Sequence, residues 1–199
     1  MKKKTLLLRL LILVLILGAV GAHYLWDPWG YYHKVSPDEE NAREPYIQAA
    51  AAWLGINEAD GSHRQLLRLY NAEEPLPQGY TVTDSDSWCA VFVSVSARKA
   101  GLAGFPMECS CGRQIELWQD LGRWVEDESE IPAPGDVIYY DWDEKRPGDS
   151  QGWPDHVGIV VGIKWPFVKV IEGNYDDRVQ YRVLPLWDVR IRGYGKPDF

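Results

Sequence analysis

Cysteine is scarce in this sequence, with three in 199 residues. An odd count leaves at least one thiol free unless a second chain supplies a sulfur, so the chain is not a disulfide scaffold. Positive charge is also in short supply. The 21 Lys and Arg face 29 Asp and Glu, for a formal net charge of −8. Lys2, Lys3, Lys4 and Arg9 lie in the first 22 residues, which carry no acid, and this leaves 17 cations against 29 acids in the rest, a net of −12. Such a surface repels nucleic acid, which is excluded as a partner. Binding to an anionic polymer would need specific contacts rather than general attraction. Internal repeats are absent as well, which excludes a solenoid. At 46% hydrophobic residues, the bulk of the chain is not disordered. The length suits one domain with its own core plus a short extension. Ten Trp and eleven Tyr are many for this length; they fit an aromatic core or a cleft for a polymer.

The start of the chain departs from this composition. Residues 1–9 are basic, and Leu10 to Ala22 is an unbroken apolar run ending in small residues. This is the layout of a signal peptide, with Val20-Gly21-Ala22 as a passable cleavage site. Counted from Leu6 to Trp26, with Arg9 snorkelling to the inner surface, the run approaches membrane-spanning length. Tyr24, Trp26, Trp29, Tyr31 and Tyr32 would then form an interfacial belt, which favours an uncleaved anchor. Residues 1–32 are therefore expected to be a signal peptide or a transmembrane anchor, with the rest extracytoplasmic, either secreted or held at the membrane. Residues 33–44 are polar and charged and are expected to be a linker, followed by a domain over 45–199.

Within that domain the first half reads as helical. Pro45 can open a helix continuing to Leu54, Ser62–Tyr70 gives a second, Trp88–Ala100 a third and Arg113–Leu121 a fourth. After a turn at Pro132-Ala133-Pro134-Gly135 the pattern becomes strand-like. Strands are expected at Asp136–Asp141, His156–Ile163, Phe167–Glu172, Val179–Leu184 and Ile191–Tyr194, with a loop over residues 143–155. Helices first and strands later, without alternation, predict an α+β fold with an antiparallel sheet.

Cys89 is the first residue with chemical promise. It stands where an acidic loop enters an apolar helix, in Ser87-Trp88-Cys89-Ala90-Val91. A helix N-terminus carries partial positive charge and free N–H groups, which favour a thiolate and can hold an oxyanion. A buried inert thiol is the equally simple alternative. The four His decide between them. His23 and His33 lie in or beside the N-terminal segment, and His63 opens a helix in polar company. His156 begins a strand beside Gly158, where it can serve a helix-start Cys as a base. On a neighbouring strand, Glu172 and Asn174 share one face. Either could accept the second imidazole N–H and fix its orientation.

Five stretches in this order resemble the CHAP family, the cysteine, histidine-dependent amidohydrolases/peptidases among the papain-like peptidoglycan hydrolases. They are Asp86-Ser87-Trp88-Cys89-Ala90, Pro134-Gly135-Asp136-Val137-Ile138, Trp153-Pro154-Asp155-His156-Val157-Gly158-Ile159-Val160, Ile171-Glu172-Gly173-Asn174 and Ile191-Arg192-Gly193-Tyr194-Gly195. The resemblance implies a papain-like fold, with N-terminal helices packed on the sheet. It implies Cys89 as nucleophile, His156 as base, Glu172 as orienter and Asn174 as a supporting polar group. Trp88, Trp153 and Asp86 are the expected substrate contacts. The implied reaction is hydrolysis of an amide in peptidoglycan, at the stem peptide or cross-bridge. A catalytically idle wall-binding module of the same fold is the competing reading, and an amidase for a small soluble amide is a third. No cofactor or metal is expected. Some family members carry an acidic calcium loop before the Cys, whereas here only Asp84 and Asp86 fall in residues 81–87. Cys109 and Cys111 are read as buried structural thiols, with a strained disulfide or a zinc site as alternatives.

Overall fold

Alternating apolar residues in the C-terminal half build one antiparallel sheet. Its strands are β1 (Trp124–Val125), β2 (Val137–Tyr140), β3 (His156–Lys164), β4 (Phe167–Tyr175), β5 (Arg178–Pro185) and β6 (Ile191–Gly195). They lie in the order β1-β6-β2-β3-β4-β5. The structure is a computed structural model that describes residues 35–127, 129–143 and 152–199, with Ile12 and Leu15. Apart from Ile12 and Leu15, the expected signal or anchor over 1–32 lies outside the described residues, as do residues 144–151 of the expected loop. Among the described residues, no helix is long and apolar enough to cross a membrane.

Among the described residues from 35 onward, four α-helices precede the sheet: α1 (Pro37–Ala51), α2 (Arg64–Asn71), α3 (Cys89–Ala100) and α4 (Cys111–Asp120). The α+β expectation holds, and four helices and five strands fall close to their expected places. The short strand β1 was not expected; its two residues carry no alternation to reveal it. The start of α1 is a correction. It begins two turns before Pro45, so most of the expected linker is helical. The reason is capping. The Ser36 side chain accepts from the Glu39 N–H at 3.3 Å, Pro37 follows at the first turn, and Asp38, Glu39 and Glu40 face the positive end of the helix. Those signals outweigh the polarity that made the segment read as a linker.

Helix α3 is the spine of the domain, packed against α1, α2, β3 and β4. It is buried from Cys89 to Ala97 and ends at Gly101 in the left-handed region, φ +76°. On the helix side of the sheet, Val137, Tyr139, Val157, Ile159 and Ile171 join the helices in one core. On the opposite face, Ile138, Tyr140, Val160, Val170, Leu184 and Tyr194 form a second. Strand β2 is buried on both faces, so its VIYY run lacks the polar alternation of a half-exposed strand.

The Pro134-Gly135-Asp136 stretch explains itself structurally. Gly135 has φ +88°, and a Cβ there would meet the Phe199 ring at 2.9 Å. Asp136 is fully buried. It accepts from the Ala133 N–H at 2.7 Å, from Arg43 on α1 at 3.0 Å and from Lys196 at 2.5 Å. The motif thus ties the first helix, the entry to β2 and the C-terminal segment together.

Candidate active site

Gly173 sets the position of the thiol. On β4 it faces α3, and a Cβ there would stand 2.4 Å from Phe92 Cβ and 3.0 Å from the Trp88 ring. The absent side chain lets the first turn of α3 press onto the strand. Asn174, in the left-handed region at φ +56°, turns its Oδ1 to accept from the Trp88 backbone N–H at 3.1 Å. Its amide nitrogen donates to Glu58 Oε1 at 2.9 Å, and Trp88 Nε1 donates to the same oxygen at 2.8 Å. Together Asn174 and Glu58 fix the residue before Cys89.

His156 lies 5% exposed at the first position of β3, near enough to Cys89 for each to shift the other's proton affinity. Rings surround it: Tyr140 at 5.9 Å, Trp142 at 5.5 Å and Tyr175 at 5.9 Å between centroids. Its Nε2 is buried, has no hydrogen-bond partner and points toward Glu172 Oε1 at 3.7 Å. The other nitrogen, Nδ1, is then the one available to the thiol. Opposite this pair, Gly158 is the register partner of Glu172, and a Cβ there would reach Glu172 Cγ at 2.6 Å. The glycine leaves room for the carboxylate to lie beneath the imidazole.

The expectation for Glu172 needs correcting in its detail. Its carboxylate is fully buried but does not hydrogen-bond His156. Arg182 on β5 takes both oxygens, Nε to Oε2 and Nη2 to Oε1, each at 2.7 Å. The guanidinium lies over the rings of Tyr140, Trp142 and Tyr175, 4.5–5.0 Å from their centroids. The imidazole therefore faces an ion pair rather than a bare carboxylate.

Cys89 has a second neighbour that the sequence reading brought to the site only in the alternative of a zinc centre. Its Sγ lies 3.7 Å from Cys111 Sγ. Cys111 is the first residue of α4, after Ser110, whose hydroxyl accepts from the Arg113 N–H. Two helix N-termini thus converge on one pair of sulfurs. A buried polar chain fixes this convergence: Trp118 Nε1 donates to the Tyr139 hydroxyl, which donates to Gln114 Oε1, and Gln114 Nε2 donates to Ser94 on α3. The Cys111 S–H holds the Cys89 thiol well below its ordinary range, helped by His156 and opposed by burial. The same hydrogen bond, with burial, pushes the Cys111 thiol up. Burial depresses His156, but the Cys89 sulfur and Glu172 outweigh it and leave the imidazole raised. These directions describe a thiolate–imidazolium pair with a neutral thiol beside it.

The remaining expected residues divide. Trp153 is 72% exposed, with its ring against Gly112, next to Cys111. It is the one expected contact placed to meet a bound molecule. Trp88 is fully buried between Gly173 and Glu58, so it belongs to the core and not to a cleft wall. Asp86 accepts from the Thr83 N–H, the Thr83 hydroxyl and the Tyr80 hydroxyl, closing the loop before Cys89. Asp84 pairs with Arg64 at 2.7 Å. Asn174 turns to Trp88 and Glu58 and does not support the imidazole. Among the described residues, no group of three or more His, Cys, Asp or Glu could hold a metal ion.

Residues 79–174 match the family model of the CHAP domain. Over this segment, just under half of the chain, the protein is similar to CHAP domains. The segment contains Cys89, Cys111, His156, Glu172 and Asn174, while Arg182 and the last two strands lie beyond it. Two solved structures are similar to the chain. The crystal structure of Ly7917 shares 14% identity at a TM-score of 0.44, covering 78% of this chain and 62% of that one. Ly7917 with the hydrolyzing product of MDP shares 12% identity at a TM-score of 0.48, with the same coverage. This chain thus spans about three fifths of the length of those structures. The comparison with curated proteins gives no match.

Proposed function

We propose that the CHAP-like domain is a cysteine amidohydrolase that cleaves an amide bond of peptidoglycan. The observation that carries this reading is the pairing of Cys89, at the N-terminus of α3, with His156 at the start of β3. The match to the CHAP family model over residues 79–174 supports the substrate class. The Cys89 thiolate attacks the amide carbonyl carbon, and the C=O electrons move to oxygen. Free N–H groups in the first turn of α3 stabilise that oxyanion. The His156 imidazolium gives its proton to the amine as the C–N bond breaks, leaving a thioester on Cys89. His156, now neutral, takes a proton from water, which attacks the thioester and releases the acid. Glu172 and Arg182 hold the imidazole environment, and Trp153 forms part of the substrate wall.

The stem peptide and the cross-bridge are the substrates this reading names. It also places the domain outside the cytoplasm, secreted or held at the membrane by residues 1–32. The test is digestion of purified peptidoglycan with the full chain, followed by mass spectrometry of the released fragments. New amine and carboxyl termini are expected with the unaltered chain and not with Cys89→Ala. Equal release by Cys89→Ala would overturn the mechanism. Intact peptidoglycan in both digests would overturn the substrate.

A further inference from the structure

The mechanism above gives Cys89 a role but leaves Cys111 with none beyond a hydrogen bond. We propose that Cys89 and Cys111 form a peroxide-reactive dithiol, with Cys89 as the oxidised thiolate and Cys111 as the resolving thiol. The inference rests on the reading of Cys89 as a reactive thiolate. Its geometric basis is the 3.7 Å separation of the two sulfurs, each carried on the first residue of a helix. A disulfide needs a separation of about 2.05 Å, so the sulfurs must close by roughly 1.7 Å. An opening wide enough for an amide substrate to reach Cys89 admits a peroxide. The third cysteine is directed elsewhere: the Cys109 thiol neighbours the Tyr70 hydroxyl.

The chemistry balances in two steps. The Cys89 thiolate attacks one peroxide oxygen; an S–O bond forms, the O–O bond breaks and hydroxide leaves, to be protonated to water. Cys89 is now a sulfenic acid. The Cys111 sulfur then attacks the Cys89 sulfur; an S–S bond forms, the S–O bond breaks and a second hydroxide leaves as water after protonation. The sulfur pair loses two electrons, and the peroxide gains them. The second step is helped by the first. The hydrogen bond to the negative Cys89 sulfur, together with burial, keeps the Cys111 proton in place. Once Cys89 is a neutral sulfenic acid only burial still opposes ionisation, and Cys111 loses its proton more readily. The disulfide protects Cys89 from irreversible oxidation and withdraws the nucleophile until a thiol reductant returns it.

The test treats the full chain with hydrogen peroxide, alkylates the remaining thiols and maps peptides by mass. The expected result is a Cys89–Cys111 linked peptide, a protein lighter by two hydrogens before alkylation, and recovery of both thiols with dithiothreitol. Cys111→Ser should instead accumulate sulfinic and sulfonic acid on Cys89, without recovery. Cys109→Ser should form the link as the unaltered chain does. If Cys111→Ser does not fold, the unaltered chain and Cys109→Ser still decide the matter. Sulfinic or sulfonic acid on Cys89 of the unaltered chain with no link to Cys111, or a link to Cys109, would overturn the inference. The mass readout needs no hydrolysis. A linked peptide from a chain inactive on peptidoglycan would keep this inference and sink the proposed substrate; an active chain without the link would do the reverse.

Discussion

Glu172 is gripped at both oxygens by Arg182 and stops 3.7 Å short of the unpartnered Nε2 of His156. The carboxylate therefore serves two cations when the imidazole is protonated. Breaking a buried ion pair from one side leaves an uncompensated charge, at about 3–5 kcal/mol. Glu172→Gln is expected to lose about 3 kcal/mol of stability on that scale, as well as kcat. Arg182→Met should lose stability but keep the carboxylate, now free to approach His156. Urea unfolding of the two single variants and the double variant tests this. The double variant should be more stable than the sum of the single losses allows. Strict additivity would show that the pair is not coupled.

Gly173 gives a sharper steric test. An added methyl would fall within 2.4 Å of Phe92 Cβ, an atom fixed to the α3 backbone. Gly173→Ala should therefore push the first turn of α3 away from β4 and carry Cys89 away from His156. Overpacking of this kind costs about 1–3 kcal/mol, and the loss in kcat should exceed what the unfolded fraction explains. Thermal unfolding and kinetics on the same sample check both.

The strands, the helices, and the places of Cys89 at a helix start and His156 at a strand start were legible in the sequence because each rests on a local signal, alternation or a helix start. What stayed hidden depends on register. Glu172 read as a His partner because strand alternation put it on the correct face. Its grip by Arg182 depends on the strand next to it, where no sequence signal links residues 172 and 182. Asn174 read as a supporting group by the same alternation, but its positive φ turns it out of register toward Trp88. Trp88 read as a cleft residue from its place beside Cys89, yet the next position along a helix start faces another way. Cys111 had a usable signal. Ser110 at a helix N-cap puts the following residue at a positive helix end, the place Cys89 holds on α3, but nothing local says that the two ends meet.

Trp153 stands 72% exposed against Gly112, beside the pair of sulfurs, and the fold gains little from leaving it there. Trp153→Ala is expected to leave the unfolding midpoint nearly unchanged. If the ring packs on bound substrate, KM should rise by about tenfold, equivalent to about 1.4 kcal/mol of lost binding, with kcat less affected. Kinetics on soluble peptidoglycan fragments separate the two constants. An unchanged KM would remove Trp153 from the substrate wall.

The dependence of rate on pH ties the two thiols to the mechanism. In the proposed mechanism the active form is the thiolate–imidazolium pair, so kcat/KM should rise as pH climbs through the value at which the pair forms. It should fall as pH climbs further and His156 loses its proton. Cys89 is held low chiefly by the Cys111 S–H, and His156 is held high by the Cys89 sulfur and Glu172 against burial. The plateau should therefore begin well below the ordinary thiol range and extend above the ordinary imidazole range. Cys111→Ala removes the donor that contributes most to lowering Cys89, so the acid limb should move upward. Because the thiol and imidazole titrate as a pair, the limbs report the pair and not either residue alone. Cys109 is not among the groups that hold Cys89 low, so Cys109→Ser should move neither limb. An acid limb that stays in place in Cys111→Ala would mean that the helix N-terminus and His156 suffice to hold the thiolate, leaving Cys111 no part in setting the charge at Cys89.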